Sequence, residues 1–121
     1  MSNFILIVED DDDARALVEM ILTNKGYVVK GCAGGREALE VLEKANKPAL
    51  VLLDVMMPEV NGYDVLVSMK QKPETQNIPV IMLTAKSQGD DIISGYQHGA
   101  DYYIPKPFTS EQLLYGISLF L

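Results

Sequence analysis

Five short apolar or β-branched runs, Phe4 to Val8, Tyr27 to Lys30, Ala49 to Leu53, Pro79 to Leu83 and Asp101 to Ile104, alternate strictly with amphipathic segments at roughly 12–25, 36–46, 62–72, 88–98 and 109–121. In the longer segments apolar residues recur at spacings of three and four, as in Leu17, Ile21, Leu22 and in Ala38, Leu39, Leu42, which is the helical period. The short runs read as strands, and the middle ones are continuously hydrophobic instead of alternating. A strand apolar on both sides must be covered on both sides, which a parallel sheet with crossover helices achieves. The pattern predicts an α/β fold of five strands and five helices on two faces. Punctuation agrees: Gly26 and Gly99 stand like helix C-terminal glycines, Asn61 like a cap, and Thr109 with Gln112 has capping-box spacing.

Composition narrows the setting. At 121 residues, 48% hydrophobic and 22% charged, the chain has the size and usage of one globular domain, 1–121, with no repeat, linker or second domain. A net charge of -7 argues against direct nucleic acid binding by this domain. No run approaches the roughly 20 apolar residues of a membrane span and no signal-peptide pattern opens the chain, so a cytoplasmic location with no membrane contact is expected. Cys32 reads as a packed thiol without a chemical role, and His98 as a cation in a last helical turn with no second ligand to share a metal.

Asp54 closes the run Leu50-Val51-Leu52-Leu53 and precedes Val55-Met56-Met57-Pro58. A carboxylate at the C-terminal end of a buried parallel strand lies where open α/β sheets carry their chemistry. Glu9 and Asp10 directly follow the first strand and should meet it there, whereas Asp12 and Asp13 of the same acidic run are expected to cap the first helix. Strands in one sheet are about 5 Å apart, so three carboxylates would crowd one crevice and a divalent cation would relieve their repulsion. Few oxygen ligands, with room for water and a phosphate oxygen, suit Mg2+, for which Mn2+ can substitute. A calcium loop starting at Asp10 fails, because Arg15 takes the place of the required Gly and Ile21 that of the bidentate Glu.

Thr84 ends the fourth strand and Lys106 follows the last one, at the same sheet edge, and an ammonium with a hydroxyl is a natural pair for phosphoryl oxygens. Each alone has an ordinary explanation, Thr as a strand end and Lys as a solvated surface residue; convergence with three acids is the signal.

The chain resembles the receiver domain of two-component response regulators over essentially its whole length. The resemblance is carried by Ile5-Leu6-Ile7-Val8-Glu9-Asp10, by Leu52 to Pro58 with Gly62, by Leu83-Thr84-Ala85 and by Gly99 to Phe108. It implies a flavodoxin-like doubly wound sheet of strand order 2-1-3-4-5, and transfer of a phosphoryl group from a sensor histidine kinase or a histidine phosphotransfer protein to Asp54. By position it implies magnesium held by Asp10 and Asp54, by Glu9 largely through water, and by the Met56 carbonyl. Lys106 would pair with the phosphoryl group and precede a cis peptide to Pro107. Thr84 and Tyr103 would form the switch, Thr84 moving to the phosphoryl group and the Tyr103 ring turning into the space vacated; from the residues alone Tyr103 is a half-buried strand aromatic.

The implied output face comprises segments 88–98, 101–104 and 109–121, acting on an output domain or effector protein, with a phosphorylation-dependent homodimer as one route. Tyr102, Gly95, Tyr96 and Gly116 depart from or vary within the family pattern on that face. The apolar closing segment, Leu113 to Leu121, has the look of a domain excised from a longer regulator or of a helix packed on a partner. Readings from other classes are a pseudo-receiver that only binds partners and an aspartyl-phosphate phosphatase. The intact set Glu9, Asp10, Asp54, Thr84 and Lys106 argues against the first. Met56, standing where such phosphatases carry a second acid, argues against the second, so the chain is expected to be no enzyme beyond its own phosphorylation and dephosphorylation.

Overall fold

A computed structural model describes residues 4–57, 59–85 and 99–121 of the chain. Its strands are β1 (Phe4–Val8), β2 (Val28–Cys32), β3 (Leu50–Asp54), β4 (Val80–Ala85) and β5 (Tyr102–Lys106). All pair in parallel in the order β2-β1-β3-β4-β5, the expected doubly wound sheet. The described helices are α1 (Asp12–Asn24), α2 (Gly35–Glu43), α3 (Gly62–Lys70) and α4 (Ser110–Ser118). The segment expected as a helix at 88–98, with Gly95, Tyr96 and His98, lies outside the described residues.

Alternation along each strand sorts the core into two layers. Leu6, Val8, Val51, Leu53 and Met82 face α2 and α3, packing on Leu42, Val65, Leu66 and Met69. Ile5, Ile7, Leu50, Leu52, Ile81 and Leu83 face α1 and α4, packing on Val18, Leu22, Leu113 and Ile117. All five residues of β3 are buried, as its unbroken hydrophobicity requires of a central strand, and each large aliphatic side chain so buried contributes about 1.5–3 kcal/mol. β2 is an edge strand, which is why Val28 stays 65% exposed.

Helix ends follow local chemistry. Gly26, after the Lys25 cap of α1, has φ +100°, a left-handed conformation that favours glycine; Gly99 has φ +107°. Capping boxes Asn61/Asp64 and Thr109/Gln112 start α3 and α4. The cap of α1 corrects the expectation for the acidic run. Asp11, not Asp12 or Asp13, is the N-cap, and its Oδ1 accepts the amides of Asp13 and Ala14 at 3.0 and 3.4 Å. Asp12 and Asp13 occupy the exposed first turn, where their charge meets the positive helix end. Gly116 also has a purpose beyond its cost to α4: a Cβ there would press on Ile104 and Tyr102, so glycine lets the helix lie close on β5.

Candidate functional site

The register brings the strand ends together. Val8 lies beside Leu53, Asp54 beside Leu83, and Ala85 beside Lys106, so Glu9, Asp54, Thr84 and Lys106 all arrive at one C-terminal edge. Each of Glu9, Asp10 and Asp54 offers a carboxylate oxygen, and these oxygens lie within 4.8 Å of one another. Glu9 and Asp54 are buried, while Asp10 faces solvent. Two oxygens on opposite sides of octahedral magnesium stand about 4 Å apart, so this oxygen-only set fits that ion with small side-chain rotations, leaving an open side toward Asp10.

Lys106 balances the buried acids. Its Nζ is 2.7 Å from Glu9 Oε1 and 3.3 Å from Asp54 Oδ1, and the peptide that follows it, to Pro107, is cis. The two acids respond in opposite directions to this shared environment. Burial, reinforced by the neighbouring Glu9, pushes the Asp54 carboxyl up to about 7, against the pull of Lys106. Burial also opposes ionisation of Glu9, but the hydrogen bond from Lys106, with those to Asp54 and the Asp11 amide, outweighs it and holds Glu9 below its ordinary value. Glu9 is therefore the fixed anion of the pair, and Asp54 is the group whose charge is left to respond to a ligand.

Other residues support this edge. The Met56 amide donates to Asp54 Oδ1 at 3.4 Å, while the Met56 side chain is 69% exposed over the site. Thr84 is buried one residue beyond the register partner of Asp54. Tyr103 is buried and shares the sheet face of Met82 and Thr84. In the sequence Arg15 stands only as an obstacle to a calcium loop; in the fold its Nη1 donates to the Glu9 carbonyl at 2.8 Å and its Nη2 donates to Asp12 at 2.6 Å. It braces the β1–α1 loop behind the acids. Its position five residues after Asp10, in the first turns of α1, was the available signal. A Cβ on Gly62 would collide with the Asp54 carbonyl oxygen, so glycine allows α3 to start directly against the acid's own backbone. Cys32 is buried and burial pushes its thiol up, consistent with an inert packed residue. No helix among the described residues is long and apolar enough to cross a membrane.

The chain is similar to known proteins over its whole length. The transcriptional regulatory protein SrrA of Staphylococcus aureus is 38% identical over all 121 residues, and the chain spans about half, 48%, of its length. The chemotaxis protein CheY4 of Vibrio cholerae superimposes with a TM-score of 0.90 at 30% identity, covering 100% of this chain and 99% of that one. The receiver domain of a signal transduction histidine kinase from Syntrophus aciditrophicus gives a TM-score of 0.90 at 35% identity, covering 100% and 90%. The profile of the response regulator receiver domain matches residues 5–118. With that match laid over a 2-1-3-4-5 sheet whose edge gathers three acids and a lysine, the chain belongs to the receiver domain family of two-component response regulators.

Proposed function

We propose that Asp54 accepts a phosphoryl group from a phosphohistidine of a partner kinase or phosphotransfer protein, and that the resulting acyl phosphate changes the domain's hold on an output domain or effector. The observation that carries this reading is the convergence at one sheet edge of Asp54 with Glu9 and Asp10, their carboxylate oxygens within 4.8 Å of one another, and of the Lys106 ammonium 3.3 Å from Asp54 Oδ1. In the transfer an Asp54 carboxylate oxygen attacks phosphorus, a P–O bond forms, the P–N bond of the phosphohistidine breaks, and the imidazole leaves with the electron pair and takes a proton. Lys106 faces the developing charge with its ammonium and Thr84 offers a hydroxyl to a phosphoryl oxygen. Glu9, Asp10, Asp54 and the Met56 carbonyl would hold Mg2+ or Mn2+. The metal, when bound, supplies charge neutralisation between carboxylates and phosphoryl oxygens.

The site opens beside a cleft of about 450 Å3 lined by Glu9, Leu17, Lys106, Pro107 and Phe108 among others, wide enough for a partner's histidine side chain to approach. We read the whole chain as one receiver unit in the cytoplasm. SrrA, CheY4 and the Syntrophus kinase domain carry the same receiver in a transcriptional regulator, a chemotaxis protein and a histidine kinase, so the acid site defines the input chemistry and not the output. The test is uptake of phosphoryl from acetyl phosphate, followed by intact mass. One phosphoryl group per chain is expected with Mg2+ and none with chelator; a wild-type chain that stays unmodified with Mg2+ would leave the pseudo-receiver.

Two further results are expected. Metal-free Asp54 should titrate near 7 when followed by its carboxyl carbon resonance, and saturating Mg2+ should move that midpoint down by at least one unit, since a cation favours the ionised form. A midpoint indifferent to Mg2+ would mean that the metal does not meet Asp54. The exposed Met56 side chain, two residues beyond Asp54, should slow attack of water on the acyl phosphate. Met56→Asn should therefore shorten the phosphoryl lifetime several-fold, and an unchanged lifetime would contradict this role.

A further inference from the structure

Tyr63 in the first turn of α3 and Tyr103 on β5 meet through their hydroxyls at 3.0 Å, 40 residues apart in the chain. Tyr103 is only 7% exposed, within the apolar layer between the sheet and α2 and α3, and Tyr63 packs against that layer. Phenols buried this way gain from a hydroxyl partner, because the ring belongs in the core while its oxygen does not.

Tyr63 is in turn fixed to the acid site. The Asn61/Asp64 capping box, with bonds of 3.0 and 3.1 Å, sets the start of α3 around it. The preceding Gly62 donates its amide to the Val55 carbonyl at 3.1 Å and leaves no room for a side chain against the Asp54 carbonyl. On the sheet, Tyr103 pairs with Met82, and Thr84 lies two residues further on the same face. The Tyr103 ring thus has two neighbours tied to the Asp54 edge: Thr84 through β4, and Tyr63 through the α3 start seated on Asp54 and Val55.

We infer that Tyr63 is a positioning residue of the signalling switch: its hydroxyl latches the Tyr103 ring inside the fold, adding to the ring-in state that modification of Asp54 favours. This rests on the phosphoacceptor reading of Asp54. Loss of one such hydroxyl pair changes a two-state ratio by about fivefold, and linkage passes the change to any ligand of the acid site that favours the ring-in state.

The test uses beryllofluoride, a phosphoryl mimic, with Mg2+, on protein labelled with 3-fluorotyrosine. In Tyr63→Phe the Tyr103 fluorine resonance should move toward its solvent-exposed position, and beryllofluoride affinity should fall by up to about fivefold. Mg2+ affinity alone should stay unchanged, a result that a general loosening of the fold would not give. In a Tyr103→Phe background, the same substitution at 63 should have no effect on beryllofluoride affinity, because the bond is already gone. An unmoved resonance with wild-type affinity in Tyr63→Phe, or an equal loss in both backgrounds, would overturn the latch. A wild-type chain that binds no beryllofluoride would overturn the phosphoacceptor reading and the coupling with it.

Discussion

Asp54→Asn should take up no phosphoryl group from acetyl phosphate and Mg2+ under conditions that modify the wild-type chain completely. Asparagine keeps the size of the buried side chain but offers an amide, which lacks the charge and nucleophilicity needed to attack phosphorus. The loss is expected to be total because, among the described residues, no other acid shares the position: Glu9 is held by Lys106, and Asp10 faces solvent. The same substitution should stabilise the metal-free fold. An acid whose folded pKa is raised keeps its proton longer folded than unfolded, so its cost is absent well below pH 4 and grows until the pH passes about 7. Above that window Asn escapes the cost, and urea unfolding at pH 8 without divalent ions should show Asp54→Asn more stable by roughly 1–3 kcal/mol. A less stable variant would mean that Asp54 is not under the strain its burial implies.

Lys106→Ala carries the second large effect, on stability and chemistry together. Glu9 is 3% exposed and loses its ammonium partner at 2.7 Å, which leaves a buried carboxylate compensated only in part, by the Asp11 amide at 3.2 Å and its hydrogen bond with Asp54. Removing one partner of a fully buried pair costs about 3–5 kcal/mol; the Lys106 side chain is a third exposed, so about 2–3 kcal/mol is expected at neutral pH. The sign follows from Glu9. Its lowered carboxyl contributes stability above its unfolded value and loses it as the pH falls through the folded one, so the wild type and Lys106→Ala should converge in acid. Mg2+ should bind the variant more tightly, since it no longer competes with an ammonium, and should restore part of the stability. Phosphoryl uptake should nevertheless drop by about 10²-fold, the scale for losing one preorganised charge opposite a transferring group. Wild-type uptake by a folded Lys106→Ala would remove Lys106 from the transfer.

Much of this fold was legible because its signals are local. The run from Leu50 to Leu53 announced a strand buried on both faces, and all five residues of β3 are buried. Gly26 could be placed because only a left-handed turn explains a glycine after Lys25, and its φ is positive. The acidic run was legible only in part. The meeting of Glu9 and Asp10 with Asp54 followed from their place at the strand end, but four successive aspartates give periodicity no means of choosing the cap, which the extended backbone of Asp11 decides. Arg15 and Tyr63 were missed for a different reason. A guanidinium on the Glu9 carbonyl and a hydroxyl pair between positions 63 and 103 are tertiary contacts, invisible until the sheet register brings distant segments together. Gly116 shows the opposite error: counted alone it is a weak helix residue costing about 1 kcal/mol, and only the nearness of Ile104 and Tyr102 explains it.

The central claim is that Asp54, among the acids gathered at this edge, is the phosphoryl acceptor. Borohydride reduces an aspartyl phosphate to homoserine, so treating the Mg2+- and acetyl phosphate-loaded chain with borohydride and mapping its peptides by mass spectrometry reads the acceptor residue by residue. The account predicts homoserine at position 54 and unaltered acids at Glu9 and Asp10. Homoserine at position 10, or none anywhere in a chain that still holds Mg2+, would contradict it.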